Sequence, residues 1–552
     1  ICTVMDFISI FNDVLGPVMR GPSSSHTAGS YRIGRLSRSL LRGEPAAAVL
    51  TFDSEGSYAQ TFREQGADLG FAAGLLGWSM TDDRFPQAFD HADRGRIKIT
   101  FEVKRLTAAE HPNTVDIALT GRQGERLQVR AKSVGGGLIV LTRLFDWEVD
   151  LTGKSFDLLV ECESAELPRI EALLDNLGGQ GGERKKIIRG ERALVHLRRP
   201  AHPGEETISR LRSLTGVSNV WIIPPLFYVQ KGEPLFSSAR EMIAPASGRG
   251  IGLGRVALEY ESGLIGLTEE EAKSEMLKRW EIMKTAVEQG LREKNLKMKI
   301  IPPSASRIFS AVTDGNLPSG GLTTRAAARA MAVLHVSSSG GVVCAAPTGA
   351  SSGVIPGVMA TLAEEKNLSD ERIAFALFAA GAVGLVVASR ATFAAEVAGC
   401  QVEIGAAGAM AAAAVVEAAG GTAQQAADAA AISLQNSMGS VCDLVQGICE
   451  IPCHTRNAAA AAGAFVCADL ILGGYANPIP LDETVDAVFA VGKMLPPELR
   501  CTSRGGLAMT PAAQSLHRRG RPEANSLPFL SSVFRGPRRT SARRTRKARC
   551  GR

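Results

Sequence analysis

The sequence predicts a multidomain chain. An α/β (α+β) N-terminal domain covers residues 1–150, a ferredoxin-like unit 151–232, an all-helical domain 233–514 and a basic tail 515–552. Length, apolar patterning and charge distribution carry that reading. A chain of 552 residues has room for about three domains of roughly 150 residues each. Apolar residues make up 45% of it and aromatics only 5%, so the Ala- and Gly-rich second half predicts helices packed closely through small side chains. The net charge of +6 is uneven: from Ser515 onward twelve Lys/Arg face one acid, Glu523, so the tail carries +11 and the rest of the chain is net −5.

Among the elements in order, residues 47–53 and 97–103 read as strands, and 117–120 continues the sheet. Residues 133–141 read as a glycine turn entering another strand. In the second unit, strands at 156–162, 184–189, 193–197 and 217–223 alternate with helices at 167–177 and 206–214. This β-α-β-β-α-β sequence is the ferredoxin-like order. Pro234 marks the next boundary. Residues 267–293 carry Leu, Met, Trp and Ile at helical spacing among Glu and Lys, whereas 406–419 and 423–436 are Ala-rich and nearly uncharged, as buried helices are. The apolar run 373–389 is short of the ~20 residues a spanning helix needs and reads as a core helix, so no membrane partner is expected.

Ten cysteines (2, 162, 344, 400, 442, 449, 453, 467, 501 and 550) lie in a chain too long for a small disulfide scaffold. Asp6 interrupts any early apolar stretch, so the chain reads as cytoplasmic with reduced thiols. The chain opens on Ile1 rather than Met, and further residues are expected before it. Nucleic-acid binding would rest on the tail alone, which is expected to be disordered.

Three motifs carry chemistry. Cys400 follows Gly399, and Cys442 and Cys453 bracket CDLVQGICEIPC, with Cys453 after Pro452. Such turn-like, exposed settings suit thiolates on soft, sulfide-bridged iron. The alternative is three inert core cysteines, and zinc is disfavoured because the spacing matches no finger. The loop GPSSSHTAG (21–29) offers hydroxyl and amide donors for a carboxylate or phosphate, or else is a serine-rich surface turn. His111-Pro-Asn-Thr114 contributes an imidazole that titrates near neutrality, or a structural turn. Two further segments are set aside. Lys186-Ile-Ile-Arg-Gly190 lacks the phosphate loop of a pyridoxal-phosphate site, and the glycines of 248–254 follow no strand.

Taken together, GPSSSHTAG, AGCQVEIGAAGAMAAA, GSVCDLVQGICEIPCHTRN and GGLAMTP make the chain resemble the iron–sulfur L-serine dehydratases with fused β- and α-type parts, over residues 7–513. The resemblance implies an α/β substrate-side domain, an ACT-type regulatory unit and a helical domain carrying an oxygen-sensitive [4Fe–4S] cluster. Cys400, Cys442 and Cys453 would hold three irons and leave the fourth open to L-serine, which is converted to pyruvate and ammonia without pyridoxal phosphate. It further implies His111 and His26 as catalytic residues. Ser23, Ser24, Ser25, Thr27, Asn113, Thr348, Ser351, Ser352, Arg456 and Asn457 would form the substrate site. Cys344 and Cys449 are not expected to be ligands, and Cys550 is not expected to fold back onto the cluster. The chain departs from the family at Glu64-Gln65-Gly66-Ala67-Asp68, where many members carry Gly-His-Gly-Thr-Asp; if that histidine is the family's base, the chain is either impaired or uses His111 in its place. The ACT-type unit makes a homodimer the expected assembly. Two other functions remain open: a cysteine desulfidase, which would release sulfide, and a non-catalytic amino-acid sensor, which would bind without turnover.

Overall fold

The computed structural model describes residues 7–41, 43–175 and 182–518. The basic tail from 519 on, Cys2, Cys550 and the last two residues of the helix expected over 167–177 lie outside the described residues.

A three-residue strand, β1 (Val18–Arg20), opens the ladder count. The N-terminal sheet then has six strands: β2 (Pro45–Asp53), β3 (Lys98–Lys104), β4 (Thr114–Gly121), β5 (Arg126–Gly135), β6 (Leu138–Leu144) and β7 (Trp147–Leu151). They lie in the order β3-β2-β4-β5-β6-β7. The β2–β3 pair is parallel, with Leu50 opposite Phe101, and short helices make the crossover that a parallel pair requires. The other pairs are antiparallel. Alternation along β5 buries Leu127, Val129 and Ala131 and exposes Arg126 and Gln128. The buried face packs under Ile33, Leu36 and Leu40 of the helix Gly29–Leu40 and under Phe71 and Leu75 of the helix Ala67–Leu76.

The second unit follows the expected order: β8 (Phe156–Glu163), helix Leu167–Asp175, β9 (Glu183–Arg189), β10 (Arg192–Arg199), helix Glu205–Ser213 and β11 (Val217–Ile223). Its antiparallel sheet runs β11-β8-β10-β9. Every residue from Ala193 to Leu197 is buried, since both faces of β10 are covered. One face lies on the unit's own helices, and Leu159, Leu194 and Trp221 join the core of the N-terminal sheet.

The remainder is helical. The helix Glu269–Arg292 starts at a capping box between Thr268 and Glu271. Asp370–Arg390 is long and apolar enough to cross a membrane by length and composition, yet 78% of its apolar window is buried inside the fold. It packs on Leu253–Ile265 and Ile404–Ala418. The front of the chain enters this core as well, because Ile10, Phe11 and Val14 are buried beside Phe378 and Val383. A last strand, β12 (Val342–Cys344), pairs antiparallel with β1, matching Val18 to Cys344 and Arg20 to Val342. This short ladder ties the N-terminal domain to the helical one just beside the serine-rich loop.

Candidate functional site

Beyond β1 the chain turns into the serine-rich loop. Ser23 opens a π-helical turn over Ser24–Ala28, and its hydroxyl accepts the His26 amide at 3.2 Å. All five residues from Ser23 to Thr27 are buried, so the loop is not the surface turn its composition allows. The His26 ring lies edge-on to Tyr58. Its Nδ1 is 3.0 Å from Ser25 Oγ and its Nε2 3.0 Å from Thr61 Oγ1. Burial lowers the His26 pKa to about 4 against the pull of Glu396, which leaves the ring neutral near pH 7. Thr27 Oγ1 donates to Gln65 O at 2.7 Å.

The loop meets Glu396, contributed by the helical domain one turn before Cys400. Glu396 Oε1 accepts Ser25 Oγ at 2.5 Å and Asn113 Nδ2 at 3.0 Å, and it sits 3.5 Å from His26 Nδ1. Burial pushes this carboxyl up, but His26 and the Ser25 and Asn113 hydrogen bonds outweigh it and hold Glu396 low. The approach depends on Gly135, which has φ +101°; a Cβ there would stand 2.7 Å from Ala394 N. His111 is half-buried in the turn before β4. Its Nδ1 accepts the Asn113 amide at 3.1 Å, and burial lowers its pKa.

Four thiols face the same narrow cavity as Ser23, Ser25, Gln65, Glu396 and Glu403: Cys442, Cys449, Cys453 and Cys501. Cys400 joins them from the far side. Ligand atoms of Cys400, Glu403 and Cys442 lie within 4.8 Å of one another. Cys400 opens a short 3-10 turn after Gly399 (φ +78°), and Cys453 opens the helix Cys453–Leu472 after Pro452. The turn-like settings are therefore as expected but the exposure is not, since Cys400 and Cys453 are each only 1% exposed. The turns lie inside the protein, walled by the helical core. Cys442 is pinned by backbone bonds on both sides, its N–H to Leu499 O and its carbonyl to Cys501 N–H. Cys449 Sγ lies 3.6 Å from Cys453 Sγ.

The electrostatics of this group call for a cation. The hydrogen bond from Cys442 and the Arg456 guanidinium hold Cys400 below the usual thiol range, against burial. Neighbouring thiols push Cys442 and Cys449 well above it. Burial, with Cys400 next, raises Glu403 well above the usual carboxylate range. So many soft donors cannot ionise together unless positive charge sits among them, which fits a thiolate-bound iron–sulfur group.

Of the 347–353 loop only Ala350 lines the cavity; Thr348, Ser351, Ser352, Arg456 and Asn457 stand behind its walls. A Cβ on Gly349 would come within 2.9 Å of Pro22 O and 3.0 Å of Ser24 N, so the 347–353 loop lies directly against the serine-rich loop. Thr348 and Ser351 bond each other at 3.0 Å, and Ser352 bonds Gly349 O. Asn457 staples this loop to the Cys453 helix, donating to Ala350 O and Cys453 O and accepting Gly353 N–H. Arg456 donates to Val441 O and Asp443. These groups spend their hydrogen bonds on backbone and on one another, whereas Ser23, Ser25 and the thiols open onto the cavity. Sequence reasoning missed Glu396, Glu403 and Cys501, and it noticed Gln65 only as a departure. Gln65 Nε2 contacts Cys501 Sγ at 3.4 Å. The one available signal was proximity: Glu396 and Glu403 flank Cys400, and Cys501 precedes GGLAMTP.

The family profile described as the serine dehydratase alpha chain matches residues 183–508. The probable L-serine dehydratase alpha chain of Bacillus subtilis (strain 168) is 37% identical over 285 residues, covering 52% of this chain and 95% of the relative. The L-serine dehydratase alpha chain of Peptoniphilus asaccharolyticus is 35% identical over 285 residues, 51% of this chain and 98% of the relative. The probable L-serine dehydratase beta chain of B. subtilis is 41% identical over 156 residues, 28% of this chain and 69% of the relative.

Proposed function

Because the chain belongs to the serine dehydratase alpha chain family and joins alpha- and beta-type parts in one polypeptide, we propose that it is an L-serine ammonia-lyase producing pyruvate and ammonia. The observation that carries this reading is the meeting of the serine–histidine loop and the thiols at one buried cavity. Cys400, Cys442 and Cys453 would hold a [4Fe–4S] cluster, which when bound supplies a Lewis acid for the departing hydroxyl.

The protein's own groups have three tasks. Ser23, Ser24, Ser25 and Thr27 orient the substrate, backed by Thr348, Ser351 and Ser352. Asn457 and Arg456 keep the cysteine-bearing segments in register with that loop. A neutral imidazole takes the Cα proton, since Gln65 has no titratable group to do so. His111 is our candidate. Its Nδ1 accepts the Asn113 amide, so the neutral ring carries its proton on Nε2, and Nδ1 becomes the acceptor once that hydrogen bond opens. His26, neutral by burial, keeps Ser25 placed between itself and Glu396. Elimination gives an aminoacrylate, which tautomerises and hydrolyses to pyruvate and ammonia. The ferredoxin-like unit is proposed as an ACT-type regulatory module, and the assembly as a homodimer.

The test is anaerobic purification with iron, sulfide and pyruvate measured together, on the parent chain and on His111→Ala. About four irons per chain is the expectation for one [4Fe–4S] cluster, with turnover that decays in air. The variant should keep the iron and lose turnover. Sulfide release from L-cysteine in place of pyruvate from L-serine would favour a desulfidase. Absence of iron after reconstitution would sink the scheme.

A further inference from the structure

Glu396 is a buried carboxylate with unequal oxygens. Oε1 is saturated by Ser25 and Asn113, while Oε2 has no hydrogen-bond partner. The Asn113 amide that donates to Oε1 leaves its own Oδ1 equally unpartnered. Turning that amide over would set two oxygens against each other, so the orientation is determined by the carboxylate. Glu396 is 3% exposed and Asn113 fully buried, and among the described residues no Lys or Arg pairs with Glu396. Its nearest basic group is the His26 imidazole, whose Nδ1 lies 3.5 Å from Oε1. Two acceptors on hydrogen-bonded residues are thus buried without donors, and one belongs to a carboxylate lining the cavity beside Ser23, Ser25 and Cys442. An unpaired buried charge is costly unless a cation is delivered to it.

We propose that Glu396 Oε2, with the neighbouring Asn113 holding Oε1, receives the α-ammonium group of the amino-acid substrate. This rests on the amino-acid lyase reading above and adds a specificity determinant to it. A primary ammonium has three donors and the positive charge that this pair lacks. The serine-rich loop, with hydroxyl and amide donors, then faces the substrate carboxylate, so the zwitterion is read at both ends. The alternative role, proton abstraction from Cα, suits Glu396 less well: Oε1 is taken up by Ser25 and Asn113, and His26 with these bonds holds the carboxyl below its usual range against burial, which makes a good counter-ion and a poor base. A ligand that keeps the carboxylate but lacks the amine would leave Oε2 bare, and the site would reject it.

The experiment uses ligands that cannot eliminate, so it is independent of turnover. Anaerobic holoenzyme is titrated calorimetrically with L-alanine and with propanoate, which differ only in the ammonium group. The parent chain should prefer L-alanine by at least about 30-fold, in the range of a charge-assisted hydrogen bond. Glu396→Gln should weaken L-alanine about 30-fold and move propanoate less than about 3-fold, with cluster absorbance unchanged. Glu396→Asp, which keeps the charge, should recover part of the preference and serves as the test should the Gln variant lose its iron. Equal affinity of the parent chain for both ligands would overturn the proposal. So would equal weakening of both in Glu396→Gln, which would make Glu396 a strut for the loop. If the parent chain binds L-alanine selectively but makes no pyruvate from L-serine, the lyase reading falls and the ammonium site stands.

Discussion

The ferredoxin-like unit and the cavity that joins the two larger domains are built on opposite plans. The unit spans β8 to β11, one short stretch of chain, and its four strands pair with one another; His196 meets Asp157 inside it at 2.6 Å, while Glu161 and Arg192 also reach Trp147 and Asp146 of the N-terminal domain. The cavity is made of groups that meet only in three dimensions. Glu396 receives Ser25 from 371 residues away and Asn113 from 283, and Ser57 donates to Cys501 O across 444. A unit drawn from one short stretch of chain tolerates change, whereas the cavity makes every wall depend on a distant one.

The strongest way to break that comparison is at the thiols. Cys442→Ser should eliminate both iron and turnover, because Cys442 is the proposed ligand held by backbone bonds on each side. Cys449→Ala should retain the iron, and iron analysis of both variants decides the matter. If Cys449→Ala loses iron while Cys442→Ser keeps it, the ligand set is misassigned.

A matched pair of glycines sharpens the comparison. Gly135→Ala both strains a φ of +101° and strikes Ala394, so it should lower kcat/KM by tenfold or more, on the order expected when a site is displaced by a fraction of an ångström. Gly190→Ala, at φ +62° in the β9–β10 turn with open space around it, should cost about 1 kcal/mol of stability and leave kcat/KM unchanged. Steady-state kinetics beside thermal melts would show whether the two positions differ as described.

Acid should separate the regions more gently. Burial lowers His26 to about 4, His335 to about 4 and His454 to about 3, and all three border the thiols or the serine-rich loop. Each folded pKa lies below the unfolded value of roughly 6.5, so the stability they contribute is complete above that pH. It is lost progressively as pH falls from there toward 4. Hydrogen exchange at pH 5 should therefore loosen the helices around His335 and His454 before the β8–β11 sheet. Uniform loosening would show that these histidines do not dominate.

What could be read from the sequence follows the same division. The helix expected over 267–293 forms over Glu269–Arg292, and the β-α-β-β-α-β order holds strand by strand, because the hydrophobic period suffices there. The β1–β12 ladder is three residues on each side, too short for any period to reveal. The serine-rich loop and the cysteines were visible as motifs, yet their burial was not, since Gly399 and Pro452 mark a turn without saying whether it faces water. Glu396 is one of a few acids in an alanine-rich stretch; only Ser25 and Asn113, arriving from the other domain, give it meaning.

The β1–β12 ladder also bears on how the molecule is made. Ile10, Phe11 and Val14 leave the ribosome long before their partners, since the core that buries them includes Phe378 and Val383, and β1 waits for residues 342–344. During synthesis this apolar front stays uncovered until most of the chain has emerged, whereas the β8–β11 unit can close as soon as residue 223 is free. Nascent chains stalled before residue 340 should therefore be the species most in need of chaperone protection.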